Sequence, residues 1–195
     1  METGHYLQET ELIQGLQAGQ GQAFEWLVAQ YKDRLYNTIL GFLQNEEDAE
    51  DATQEVFIKV HQSIKQFKGE AALSTWLYRI AVSHSLDMLR KKKRQKKGGL
   101  LMFLFQREDE WIQPDFHHPG VAAEQKETAA VLFKAVRQLP EQQQTAFLLQ
   151  KMENLNQGEI AEIMKTSVGA VESLLQRAKA NLRKLLEAYY QKHYK

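Results

Sequence analysis

A chain of 195 residues, 43% hydrophobic and 26% charged, is long enough for one large or two small domains, each with its own buried core. It contains no cysteine, which excludes disulfide frameworks and thiolate metal sites and points to a reducing compartment. Net charge is zero, yet residues 1–57 hold eleven acids and two bases whereas residues 79–97 hold eight bases against Asp87 alone, so an acidic face and a basic face for two different partners are expected.

Helical periodicity runs along most of the chain. Leu12, Ile13 and Leu16 open an amphipathic helix, and Phe24, Leu27, Val28, Tyr31, Leu35, Ile39 and Phe42 mark a second at three- and four-residue steps. A third is expected over about 46–64 and a fourth over about 73–93, with Ser74 as its N-cap. From residue 96 to 121 the pattern stops among Gly98, Gly99, Pro114, Pro119 and Gly120, which reads as a linker between domains. Its apolar run, 100–105, is far short of the roughly 20 residues a membrane span requires, and no N-terminal stretch resembles a signal peptide, so a soluble cytoplasmic protein is expected. Periodicity resumes at Ala122, with helices expected over about 141–152, 157–164 and 168–189. No stretch alternates with period two, and the fold class is all-α: two helical domains, 1–95 and 122–195, joined by a flexible linker, 96–121.

Three segments carry chemistry. Residues 156–179 have the length and spacing of a helix-turn-helix, with Ile160, Ala161, Ile163 and Met164 facing inward from the first helix and Val168, Val171, Leu174 and Leu175 from the second. Glu172, Ser173, Gln176, Arg177 and Lys179 then face outward; an ordinary helical hairpin is the alternative. The second segment, Arg90–Arg94 with Lys96 and Lys97, follows a helix bearing Trp76, Tyr78, Arg79 and His84. Cations beside flat rings suit unstacked bases, although such a run can also be the solvated end of a helix. Of these residues Trp76 and Ile80 read as buried, and Tyr78 and Arg79 as exposed. The third segment, 45–57, places Glu47, Asp51 and Glu55 on one helical face. That face fits a protein-docking surface, a solvated helix or a carboxylate metal site; the Glu-x-x-His pairs usual in helical di-metal centres are lacking, so no metal is expected.

In order and spacing, DAEDATQEVFIKV from Asp48, FKGEAALSTWLYRIAVSHSLDMLRKKKR from Phe67, LPEQQQTAFLL from Leu139 and the helix-turn-helix resemble sigma factors of the sigma-70 family, of the small extracytoplasmic-function (ECF) type. The resemblance implies a non-enzymatic initiation factor without cofactor, whose partners are core RNA polymerase, promoter DNA and an anti-sigma factor. Asp48, Asp51, Gln54, Glu55, Phe57 and Ile58 match the surface that docks on the large polymerase subunit. Phe67 and Lys68 in the loop 67–73, with Tyr78, Arg79, Ser83, Asp87, Arg90, Lys91 and Lys92, match the element that melts the −10 region and captures a flipped base. Ser167, Gly169, Ala170, Glu172, Ser173, Gln176, Arg177 and Lys179 match the face that reads the −35 duplex. The chain departs from the family pattern at Glu172 and Leu174, where basic residues are common, at Ser83, where asparagine is, and at Lys165, where the turn usually has glycine. A stand-alone helix-turn-helix regulator is the other reading. It leaves the acidic face and the melting segment without a task.

Overall fold

Apolar residues at three- and four-residue steps place each helix of the first half against the next. A computed structural model describes residues 9–98 and 126–193, and among the described residues all regular structure is helical. Helix α1 (Glu9–Gln17) buries Leu12 and Leu16 against α2 (Gly21–Leu43). Gln44 ends α2 in the left-handed region, its N–H bonded to Leu40 O at 2.8 Å. Asn45 then starts α3 (Glu46–Ser63): its side chain accepts from the Asp48 N–H at 2.8 Å, and Glu46, Glu47 and Asp48 sit at the positive end of the helix dipole. A single 3-10 turn (Ile64–Gln66) and a loop lead to α4 (Leu73–Gly98). Helices α2, α3 and α4 form a three-helix bundle around Leu27, Ile39, Val56, Leu77 and Ala81, all without solvent exposure. Each large aliphatic side chain so buried contributes about 1.5–3 kcal/mol.

The second half is a smaller helical unit of α5 (Lys126–Arg137), α6 (Glu141–Met152), α7 (Gln157–Met164) and α8 (Val168–His193), closed over Leu148, Leu149, Ile160, Val171, Leu175 and Ala178. A reciprocal capping box starts α7: Asn156 accepts from the Glu159 N–H at 3.0 Å while Glu159 accepts from the Asn156 N–H at 2.8 Å. The helix ends on Lys165 at φ 52°, with the Lys165 and Thr166 N–H groups bonded back to Glu162 O and Ala161 O. A side chain in that conformation is strained, so Lys165→Gly is expected to raise stability by about 0.5–1 kcal/mol in urea titration.

The two units pack together, α6 on α2 and α7 on α4. Gly41 permits the approach, since a Cβ there would stand 3.3 Å from Leu148 Cδ2. Gln44 Nε2 adds a bond to Phe133 O at 2.7 Å.

Several local expectations are corrected. Helix α4 begins at Leu73, so Ser74 lies inside it and is not the N-cap. It also continues to Gly98, which makes the first residues of the expected linker helical; the remainder, 99–121 with its apolar run, lies outside the described residues. Tyr78, expected to be exposed, is 1% exposed, whereas Trp76 and Ile80, expected to be its buried neighbours, are only partly covered. The reason is the second unit, which packs on the side of α4 that a lone bundle would leave open.

Candidate nucleic-acid interface

Arg79, Ser83, Asp87 and Arg90 recur along one side of α4 and, with Lys59, Trp76 and His84, line a cavity of about 660 Å³ whose opposite wall is Glu141, Gln142 and Thr145 of α6 and Ile163, Met164 and Lys165 at the end of α7. Both arginines are held across it. Arg79 donates through Nε and Nη2 to Glu162 O at 3.0 and 2.6 Å, placing its charge at the negative end of α7. Arg90 pairs with Glu141, at 3.1 Å through Nε and more closely through Nη2, and with Asp87 at 3.2 Å. These contacts raise the Arg90 pKa, the Glu141 hydrogen bond most of all. In this arrangement the α4 face looks across the cavity toward α6 and α7, with Ser83, Asp87 and Arg90 still open to solvent at its mouth.

A buried carboxylate fastens the same junction. Glu153, just past the end of α6, has a side chain only 4% exposed and accepts from Thr38 Oγ1 at 2.7 Å, from Arg34 Nε at 3.2 Å and from the Tyr78 hydroxyl. Burial first, then the bond to and charge of Glu153, push the Tyr78 phenol far above its ordinary range, so it stays a donor. Sequence reasoning missed Glu153. A signal was present, since an acid at a helix C-terminus is opposed by the dipole unless cations or donors hold it.

The other rings of the segment are also turned inward. Phe67 is buried against Trp76 with ring centroids 5.1 Å apart, and His84 is buried with Nδ1 2.6 Å from Lys59 Nζ. Glu55 Oε2 lies 3.0 Å from His84 Nε2, yet out of line for a hydrogen bond. Burial, then the Lys59 charge, depress the His84 pKa below 6.5, against the opposing pull of Glu55 and Asp87. The neutral ring is thus the folded form. Its contribution to stability is complete above about pH 6.5 and declines as pH falls toward the lower folded-state pKa, because the unfolded chain takes up the proton first. The thermal midpoint should therefore drop between about pH 7 and pH 5 more steeply than in a non-titrating His84→Asn variant.

Along the exposed side of α3 lie Asp51, Gln54, Glu55 and Ile58, the last 56% exposed and one turn on from Glu55. Phe57, on the same candidate surface by sequence, instead packs edge-on against Phe24 inside the bundle. Asp48 is half-covered and pairs with Lys92, so a member of the acidic face meets a member of the basic run. Lys68 is exposed in its loop, and Lys91–Arg94 are exposed along the helical extension of α4. Among the described residues no group of three His, Asp or Glu side chains is placed to hold a metal ion.

In the helix-turn-helix, Ser167 caps α8, its Oγ 3.2 Å from the Ala170 N–H, and Gly169 has open space around it. Glu172, Ser173, Gln176, Arg177 and Lys179 are exposed on one side of α8, while Val171, Leu174, Leu175 and Ala178 are buried against α6 and α7. Leu174 is therefore a core residue. Two side chains of the outer face are drawn back onto their own helix: Ser173 Oγ donates to Gly169 O at 3.0 Å and Arg177 Nε to Ser173 O at 3.2 Å.

The sigma-70 region 2 family matches residues 27–95 and the sigma-70 region 4 family residues 129–182. Over 184 residues the chain is 31% identical to the RNA polymerase sigma-H factor of Pseudomonas aeruginosa, covering 92% of this chain and 94% of the relative. It is 33% identical over 175 residues to the ECF RNA polymerase sigma-E factor of Haemophilus influenzae (89% and 92%), and 32% identical over 182 residues to the ECF sigma factor SigW of Bacillus subtilis (89% and 94%). The chain belongs to the sigma-70 family, in its ECF branch. The sigma factor's fold is likewise similar to that of CnrH, solved in complex with the cytosolic domain of CnrY, at TM-score 0.67 and 23% identity over 92% of this chain and 97% of that one. It is similar also to RpoE of Bartonella quintana, solved in complex with the anti-sigma factor NepR, at TM-score 0.62 and 19% identity over 84% and 96%. Region 2 of the sigma factor takes in the three-helix bundle and leaves α1 outside; region 4 takes in the helix-turn-helix. Its described helices include none long and apolar enough to cross a membrane.

Proposed function

We propose that this ECF sigma factor docks on core RNA polymerase through the exposed side of α3, with Asp51, Gln54, Glu55 and Ile58 as the contact residues and Asp48 at its edge. The N-terminal half of α8 then reads the −35 duplex, while the loop 67–73 and the α4 face of Arg79, Ser83, Asp87 and Arg90 read and open the −10 element. Lys91 and Lys92 hold phosphates beside it. The supporting observation is that two cationic, polar faces ride on separate helical units, one on α4 and one on α8, while the exposed side of α3 in the first unit carries acids and Ile58. Flipping a base costs a few kcal/mol, which an enclosing pocket and phosphate contacts must offset. In this reading the units 1–95 and 122–195 separate on the promoter, because Arg79 and Arg90 are engaged by α7 and α6 when packed. The protein performs no chemistry of its own, acts in the cytoplasm, and has an anti-sigma protein as a further partner, in keeping with the NepR complex of the similar Bartonella protein.

Permanganate mapping tests the reading: core polymerase with this protein should expose unpaired thymines around one −10 element, and Arg79→Ala with Arg90→Ala should abolish that exposure. Opening that persists in the double variant would remove α4 from the reading. Because Glu172 is exposed where cations are usual in the family, it is assigned to a base edge. Glu172→Ala should relax preference at one −35 position by about 1–3 kcal/mol, seen by comparing transcription across single-base promoter variants.

A further inference from the structure

The loop 67–73 owes its shape to its two ends. Lys68, Gly69, Glu70 and Ala71 make no hydrogen bond or ion pair, and Gly69 takes φ 72° with open space around it. Both ends are tied to α1, the helix that the region 2 match leaves out. At the entry, Gln17 Nε2 donates to Phe67 O at 2.8 Å and, at 3.4 Å, to Ile64 O, which also accepts the Phe67 N–H of the 3-10 turn at 3.0 Å. At the exit, Glu9 Oε1 accepts from the Leu73 N–H at 2.9 Å, so a carboxylate from another helix caps α4 at the positive end of its dipole. Leu12 and Leu16, between the two tethers, are buried and hold α1 in place. Eight residues of helix set a rigid span of about 12 Å between them.

We infer that α1 is a gauge for the promoter-reading loop, with Gln17 and Glu9 as positioning residues that hold its ends at the separation needed to enclose a flipped base. The inference rests on the assignment of the loop 67–73 to the −10 element. A loop without internal bonds keeps one shape only while its ends are fixed; released, it spreads over many conformers and encloses matched and mismatched bases alike. The effect of α1 is thus on discrimination and not on docking.

The test uses the full chain with core polymerase, measuring initiation on its promoter and on versions changed singly through the −10 and −35 elements. Gln17→Ala and Glu9→Ala should each reduce −10 discrimination about five-fold, as loss of one hydrogen bond of about 1 kcal/mol implies, with −35 discrimination and core affinity unchanged. Glu9→Gln, which keeps the acceptor oxygen, should retain most of it. Glu9 is exposed and Gln17 partly so, and neither alanine opens the core. Unchanged −10 discrimination in both alanine variants, or an equal loss at every promoter version, overturns the inference. A joint Lys68→Ala and Glu70→Ala variant separates the two levels. If it alters −10 discrimination while the α1 variants do not, the loop reads DNA without α1 as gauge. If it too is silent, the loop assignment falls and the inference with it.

Discussion

Glu153→Ala is expected to part the two helical units of this sigma factor. The substitution leaves the buried Tyr78 hydroxyl without its acceptor and Arg34 without its counter-charge, while Thr38 keeps a bond to Arg34 O at 3.0 Å. Arg34 is 49% exposed, so solvent softens its share, and the loss rests mainly on the buried phenol. Together the changes disfavour the packed arrangement by about 2–4 kcal/mol, a shift in population of roughly 100-fold at the middle of that range. Glu153→Gln, with one neutral acceptor left, should fall between. The chain has no cysteine, so dye pairs on cysteines introduced one in each unit report the distance directly. Low energy transfer in Glu153→Ala, with each unit still helical, is the expected result; transfer equal to the parent protein's would show that the junction is held by other contacts. A wedge at Gly41, where a side chain meets Leu148, should act in the same direction by an independent route.

Asp51→Lys should weaken association with core polymerase by about 100-fold. Asp51 is exposed at mid-helix on α3, one turn from Glu47 and one from Glu55, and it faces away from the bundle. Reversing its charge therefore leaves the core untouched, and stability should stay within about 0.5 kcal/mol. It even relieves like-charge repulsion along the helix. A partner surface carrying cations would instead meet a cation at the centre of the contact. Competition binding to purified core polymerase, alongside a thermal melt, measures both quantities; full affinity with an unchanged melt would take the acidic side of α3 out of the docking assignment.

Helix identity was legible in the sequence wherever one apolar stripe decided it. The spacings of Leu27, Leu35 and Ile39, and of Ile160 with Val171 and Leu175, mark the faces that lie in the two cores. The helix-turn-helix was equally plain, because Ser167, small Gly169 and the inward Val171 follow each other within one turn and its cap. Tyr78 was misread for a reason of scale. Its acceptor, Glu153, lies 75 residues away on the other unit, and local periodicity carries no information about a contact between units. The start of α4 escaped in the same way: Ser74 is a good capping residue by type, but the Leu73 N–H is served by Glu9 from a distant helix. Phe57 and Phe67 belong to motifs that the family resemblance assigns to binding, and packing buries both against Phe24 and Trp76. A motif marks a segment of a surface and does not say which side chains of that segment reach solvent.

Run-off transcription from a genomic fragment library, with purified core polymerase in the presence and absence of this protein, tests the central claim most directly. The account predicts discrete new transcripts whose upstream regions share a −35 and a −10 sequence, lost with Asp51→Lys and blurred at the −10 position with Gln17→Ala. No new transcripts, together with tight duplex binding by the protein without polymerase, would contradict it.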